Sequence, residues 1–188
     1  MSLLVVCEHD RGSLSDASLE ALTFGRPLAA AAGLELDAVV IGEGAEAAAE
    51  GLGAHGAVTI HVASHPILTD FGPEAWGETV AQLVRGTGAT AVLACGTERG
   101  NEVVAQVAAR LDQPFVANCR SIEPGSDAWT MTRVQWGGSL LEDVALDADV
   151  HLVTVAHHTV EATAAEVPAA GYESAFAPEL DEVLARTV

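Results

Sequence analysis

Two short segments contain residues whose types and spacing could do chemistry. The first begins at Gly96, ends at Gly100, and includes Thr97 and Arg99. Its backbone N–H groups and the Arg99 guanidinium could bind a phosphate or a carboxylate at the start of a helix. Neighbouring glutamates oppose an anion there, so a plain strand-to-helix turn is an equal alternative.

The second segment is Glu8-His9-Asp10, which follows the first apolar run. His9 and Asp10 could form an acid–base pair, but the sequence has no Gly-x-Ser-x-Gly signature for a nucleophile. Complete Gly-x-x-x-x-Gly-Lys-[Ser/Thr] and Gly-x-Gly-x-x-Gly phosphate loops are also absent. We therefore predict no catalytic residue. The candidate cofactor-binding residues are Glu8, His9, Gly96, Thr97, Arg99 and Gly100.

His157-His158, with Glu161 close behind, is the only paired arrangement that resembles metal ligands. A metal ion needs three or four converging ligands. Adjacent residues on an extended strand point to opposite faces. We therefore expect an exposed strand end and no metal site.

The three cysteines, Cys7, Cys95 and Cys119, form no Cys-x-x-Cys pair. An odd number argues against the disulfide framework of a secreted protein. We expect three buried, reduced thiols. Cys7 and Cys95 each end a predicted strand, and they should lie within ~10 Å if those strands are neighbours.

Alternating strands and helices must position these residues. Apolar runs predict buried strands at 3–7, 36–41, 57–62 and 89–95. A helix is predicted after each strand, the last over 101–111. Pro27 should kink or divide the first helix, and Gly33 should end it. The alternation predicts a mainly parallel sheet, in which ligands bind at the carboxyl ends of strands.

After Pro114 the pattern changes to strands without long helices between them. These strands are predicted at 115–122, 129–136 and 150–156, with a Gly137-Gly138 turn and a polar connection at 143–149. We interpret residues 1–160 as one domain whose late strands are mixed or antiparallel. Residues 161–188 are interpreted as a linker or docking tail.

Composition narrows the possible partners. The chain has 27 acidic residues against 8 arginines and no lysine, for a net charge of −19. This charge argues against binding to nucleic acid or to an anionic membrane surface. No apolar run approaches the ~20 residues needed to span a bilayer. The first residues have no signal-peptide pattern, so we expect a cytoplasmic location.

Several motifs resemble the electron-transfer flavoprotein alpha subunit. Residues 4–14, Leu-Val-Val-Cys-Glu-His-Asp-Arg-Gly-Ser-Leu, are similar to that family's first strand and its Glu-His-Asp-x-Gly-x-Leu turn. Residues 94–112 are similar to its strand, glycine-containing loop and following helix. The likeness covers residues 3–160. One departure is Arg99-Gly100-Asn101-Glu102, where the family commonly has Phe-Gly-Lys-Asn.

The resemblance implies a three-layer α/β/α fold of the adenine nucleotide alpha hydrolase-like type. It also implies FAD-dependent electron transfer together with a beta-type subunit. The family's carboxyl-terminal FAD domain has no counterpart in the sequence, so this chain alone should not hold FAD tightly.

Two functions are compatible with these observations. The first is a scaffold domain, part of an electron carrier instead of an enzyme, that docks a beta-type partner through apolar surface around Trp129 and Trp136. A homodimer is the other assembly considered. The alternative function is a stand-alone AMP- or ATP-binding module that resembles the universal stress proteins.

Overall fold

The computed structural model describes all 188 residues, which build one nine-stranded sheet with helices on both faces. The helices are α1 (Asp16–Ala32), α2 (Ala45–Ala49), α3 (Pro73–Thr87) and α4 (Glu98–Leu111). The strands are β1 (Ser2–Cys7), β2 (His9–Asp10), β3 (Ser13–Leu14), β4 (Glu35–Ile41), β5 (Thr59–Ala63), β6 (Ala91–Cys95), β7 (Phe115–Glu123), β8 (Trp129–Gln135), β9 (Leu140–Leu146), β10 (His151–Val155) and β11 (Tyr172–Phe176).

The strand order of the large sheet is β11-β5-β4-β1-β6-β10-β7-β8-β9. Neighbours from β11 to β7 pair in parallel, whereas β8 and β9 pair antiparallel. Strands β2 and β3 form a separate small hairpin. The predicted α/β fold with mixed late strands is therefore confirmed.

The strand order reverses between β1 and β6, which pair in register from Leu3 opposite Ala91 to Val5 opposite Leu93. The two strands are neighbours, which was the condition for the expected closeness of Cys7 and Cys95, and their ends at these cysteines lie side by side. All three cysteines are free and buried, as predicted.

Both faces of the central strands are covered. In β1, Leu3 and Val5 pack in the cluster that contains the buried residues of α1 and α2, and Leu4 and Val6 pack in the cluster of α3 and α4. Strands covered on both sides need continuous apolar runs. The result is a three-layer α/β/α arrangement.

Helix α1 is not divided at Pro27. Ser15 caps its first turn and Gly33, with φ 67°, ends it as predicted. A proline inside a helix loses one backbone hydrogen bond. Leu22 and Leu28, on either side of Pro27, are both buried in the same core. Packing on the sheet therefore holds α1 together as one element.

Most strand boundaries shift by one or two residues from the predicted ones, and two differences are larger. Helix α4 begins at Glu98 because the Thr97 hydroxyl accepts a hydrogen bond from the Gly100 N–H and caps the helix. The polar connection predicted at 143–149 is wrong, because residues to Leu146 form strand β9. Most of β9 is exposed, so polar side chains suit it and hide its strand character.

The predicted tail adds structure to the same sheet. Its strand β11 pairs in parallel with β5, from Tyr172 opposite Thr59 to Phe176 opposite Ala63. Farther on, the Val188 N–H donates to the Phe71 carbonyl at 3.0 Å. The domain boundary at residue 160 stays a prediction. None of the helices combines the length and apolar character needed to cross a bilayer.

Candidate functional site

The carboxyl ends of β1, β6 and β10 meet where the strand order reverses, which is where ligands bind in open parallel sheets. Glu8 follows β1 and Gly96 follows β6. The Gly96 N–H donates to the carbonyl of Val155, the last residue of β10, at 2.6 Å. The strand ends are therefore fastened directly to one another.

Two hydrogen bonds that meet at the Thr97 hydroxyl bridge this crevice. The Thr97 hydroxyl donates to Glu8 Oε1 at 2.5 Å and accepts from the Gly100 N–H at 2.9 Å. Burial raises the pKa of the Glu8 carboxyl, and the Thr97 hydrogen bond and the charges of Arg99 and His157 oppose that rise. Glu8 and Thr97 thus link the loop after β1 to the start of α4 across the strand ends.

His9 is held by the backbone at both ring nitrogens. Its Nε2 lies 3.0 Å from the Ile41 carbonyl, and its Nδ1 accepts from the Gly12 N–H at 3.3 Å. These partners select the neutral ring with hydrogen on Nε2, and burial lowers the pKa of His9. Asp10 is exposed. The geometry gives His9 a positioning role and does not support an acid–base pair.

The two glycines of the predicted loop are explained by close packing. A Cβ at Gly96 would collide with the Asn118 amide oxygen and the Val155 carbonyl. A Cβ at Gly100 would collide with the Cys95 carbonyl. Both glycines therefore allow α4 and its neighbours to approach the strand ends, without any need for a ligand.

Arg99 lies against Phe71, beside the crevice. Its guanidinium carbon lies 4.9 Å from the centre of the Phe71 ring. Arg99 and His9 both line a small pocket of about 70 Å³ that also contacts Val188. A shallower recess of about 480 Å³ lies beside Arg99, with glutamates 98 and 102 in its wall.

The six candidate residues therefore divide into two places. Glu8, Gly96, Thr97 and Gly100 come together at the bridged crevice, and His9 and Arg99 meet at the small pocket.

Sequence reasoning missed a polar network beside the crevice. The Thr154 hydroxyl donates to Asn101 Oδ1 at 2.8 Å and accepts from the Asn118 N–H at 2.8 Å. The Asn101 amide nitrogen donates to Asn118 Oδ1 at 3.3 Å. Thr154 is fully buried. A single threonine inside the apolar run 152–155 was the available signal.

The prediction that the two adjacent histidines point apart is wrong. Strand β10 ends at Val155, and His158 has φ 62°, so the pair lies in a turn. The rings of His157 and His158 stack with centres 3.8 Å apart. Glu20 Oε1 lies 3.7 Å from His157 Nε2 and 3.2 Å from His158 Nδ1.

The largest exposed aromatic side chain is at the end of the β8–β9 hairpin. Trp136 is 83% exposed, and Leu140 and Leu141 beside it are also exposed. Trp129 is not part of this exposed apolar surface, because it is buried and stacks on His151 with ring centres 4.2 Å apart. Of the two predicted interface tryptophans, only Trp136 is available.

Comparison with known proteins gives a consistent result. The model of the electron transfer flavoprotein domain matches residues 3–183. The electron transfer flavoprotein subunit alpha of Clostridium acetobutylicum is 28% identical over 142 residues, 74% of this chain and 42% of that protein. Protein FixB of Azorhizobium caulinodans is 32% identical over 142 residues, 73% of this chain and 38% of that protein.

A third relative, the electron transfer flavoprotein subunit alpha of Megasphaera elsdenii, is 27% identical over 172 residues. That alignment covers 90% of this chain and 51% of the relative. The chain thus spans about half or less of the length of these relatives.

Proposed function

Because the chain belongs to the electron transfer flavoprotein domain family, we propose that it is an alpha-type scaffold domain that supports FAD-dependent electron transfer together with a beta-type subunit. It acts as a component of an electron carrier and performs no chemistry of its own. The observation that carries this proposal is the family match over residues 3–183. The Glu8–Thr97 bridge supports a structural role for the two loops that it joins.

FAD is the proposed cofactor of the assembly, and this chain alone holds it weakly. The small pocket beside His9 has a volume of about 70 Å³. Pockets for small molecules and cofactors measure roughly 300–1,000 Å³. FAD would have to lie in the shallow recess beside Arg99, which is open to solvent, so tight binding requires surfaces from another polypeptide segment.

The proposed docking surface is the end of the β8–β9 hairpin, formed by Trp136, Leu140 and Leu141. Exposed tryptophans with apolar neighbours are typical centres of protein interfaces. Charged residues such as Glu142 lie next to this surface and would form its polar rim. A beta-type subunit of the same family is the proposed occupant.

The test mixes the purified chain with a beta-type subunit and FAD and measures complex formation by size-exclusion chromatography with flavin absorbance. We expect a complex with the wild-type chain and a roughly 30-fold weaker one with Trp136→Glu, since a central tryptophan contributes about 2 kcal/mol or more.

Tyr172→Glu is the matched control, because Tyr172 is an exposed aromatic residue on β11, at the opposite edge of the sheet. It should bind like the wild type. A wild-type chain that stays monomeric, that forms only homodimers, or that is purified alone with stoichiometric FAD would overturn the proposal.

The alternative, an AMP- or ATP-binding module, is favoured by one observation. The recess of about 480 Å³ beside Arg99 is large enough for a nucleotide and also contains Phe71. In that case AMP or ATP raises the melting temperature, Arg99→Ala abolishes the shift, and Arg120→Ala, an exposed arginine on β7, retains it. Under the scaffold proposal, millimolar AMP and ATP leave the melting temperature unchanged.

A further inference from the structure

We propose that Glu20, His157 and His158 form a binding site for a divalent transition-metal ion, with Zn²⁺ the best chemical match. One potential donor atom from each of the three residues lies within 4.8 Å of the other two. The ring nitrogens that face Glu20 Oε1 are His157 Nε2 and His158 Nδ1. Two imidazoles and one carboxylate are a ligand set that Zn²⁺ takes when a fourth position stays open.

The distances fit such an ion. Zn²⁺ binds these donors at about 2.1 Å, so neighbouring ligand atoms of a tetrahedral site lie about 3.4 Å apart. The carboxylate oxygen Glu20 Oε1 is 3.2 Å from His158 Nδ1 and 3.7 Å from His157 Nε2. Binding requires the stacked rings to rotate apart, and both rings have the freedom to do so because they are partly exposed.

The carboxylate is held in place before an ion arrives. The Glu20 side chain is only 10% exposed, and its Oε2 accepts the His158 backbone N–H at 2.7 Å. This hydrogen bond leaves Oε1 facing the two imidazoles. Hydrogen bonds of this type orient metal ligands in proteins.

Protein groups line one side of the site, and the other side is open to solvent. Glu20 lies on α1, and the histidines lie in the turn after β10. The His158 side chain is 79% exposed, so the fourth ligand would be water. A bound ion would also fasten the segment after β10 to α1, where the Thr163 N–H already donates to the Thr23 hydroxyl.

The thiols do not compete for the metal. All three cysteines are buried, and burial raises their pKa values to about 12. A thiol must lose its proton before it coordinates a metal. In the folded chain, nitrogen and oxygen ligands are therefore the available donors.

The experiment titrates the full chain with Zn²⁺ by isothermal calorimetry and with Co²⁺ by visible spectroscopy. We expect one Zn²⁺ per chain, bound more tightly than Ca²⁺, and a four-coordinate Co²⁺ spectrum without sulfur charge-transfer bands. His157→Ala and His158→Ala should each weaken Zn²⁺ binding by at least about tenfold, the minimum cost typical even of residues that only orient a ligand.

Glu161→Gln and His65→Gln are the controls, because both residues lie outside the cluster and should leave the affinity unchanged. The histidine variants change partly exposed residues and are expected to fold, which circular dichroism checks. Equal Zn²⁺ affinity in the wild type and His157→Ala, several weak sites, or a sulfur-bound Co²⁺ spectrum would each overturn the proposal.

Discussion

Glu8 and His9 are adjacent, and burial moves their pKa values in opposite directions. The Glu8 pKa is raised and the His9 pKa is lowered, because burial disfavours the charged form of each. Each side chain is instead bound by neutral groups: the Thr97 hydroxyl for Glu8 and two backbone groups for His9. Residue types that suggest catalysis thus act here as connections between turns.

Glu8→Gln is expected to stabilise the chain at pH 8. A carboxyl whose pKa is higher in the folded state contributes stability while it is protonated, and this contribution is lost as the pH rises through the folded pKa. Glutamine keeps the acceptor for Thr97 and carries no charge. The advantage over the wild type should therefore shrink towards pH 4.

Urea denaturation at pH 4 and pH 8 measures this difference in the free energy of unfolding. Glu161→Gln, at an exposed position, should show no such pH-dependent gain. A Glu8→Gln chain that is less stable than the wild type at pH 8 would contradict the expected burial cost.

At the scale of elements, the buried strands were largely predictable because continuous apolar runs mark them. Apolar runs do not reveal strand order, so the pairing of β1 with β6 entered only as the condition for Cys7 and Cys95 to lie close together. Strand β9 was not predictable, because its exposed positions accept charge. Strand β11 was not, because it pairs with β5, more than a hundred residues earlier.

The candidate site was less predictable than the fold. The sequence identified the segments around Glu8 and Gly96 but not the Glu8–Thr97 bond, which joins residues 89 positions apart. It also missed the turn at His158, because a positive φ at a non-glycine residue leaves no sequence pattern. Contacts between residues far apart in the sequence determine both the Glu8–Thr97 bond and the position of His158 beside Glu20.

Gly100→Ala tests the close contact between α4 and β6. The new methyl group would collide with the Cys95 carbonyl, so we expect a loss of about 2–4 kcal/mol in the free energy of unfolding. Gly86→Ala in α3 is the matched control, since no atom lies near its Cβ position. The free energy of unfolding of this control should rise by about 0.5–1 kcal/mol, because alanine favours the helix more than glycine does.

Urea denaturation of both variants gives the comparison. Equal stability of Gly100→Ala and the wild type would mean that α4 can move away from β6 at little cost.

At the scale of the whole molecule, the tail completes one edge of the sheet. A chain ending at residue 160 lacks β11, so β5 keeps its pairing with β4 but its outer edge has no partner strand. We expect its free energy of unfolding to fall by about 3 kcal/mol or more, because the hydrogen bonds of a five-residue strand pairing are lost. We also expect the shortened chain to self-associate through the exposed strand edge. A chain ending at residue 177 keeps β11 and should stay monomeric.

Light scattering and thermal unfolding distinguish the two truncated chains. A stable, monomeric 1–160 chain would support the predicted domain boundary at that position and would show that β11 is dispensable.

The two outer strands of the sheet have a further consequence for filament formation. Glu173 is exposed on β11 and Asp143 is exposed on β9, where the neighbouring Glu142 is paired with Arg133. Head-to-tail stacking of copies would bring these carboxylates together along a shared border, and like charges there repel. The two edge strands of the sheet therefore carry like charges, and repulsion between them opposes the open-ended polymers that exposed edge strands can otherwise form.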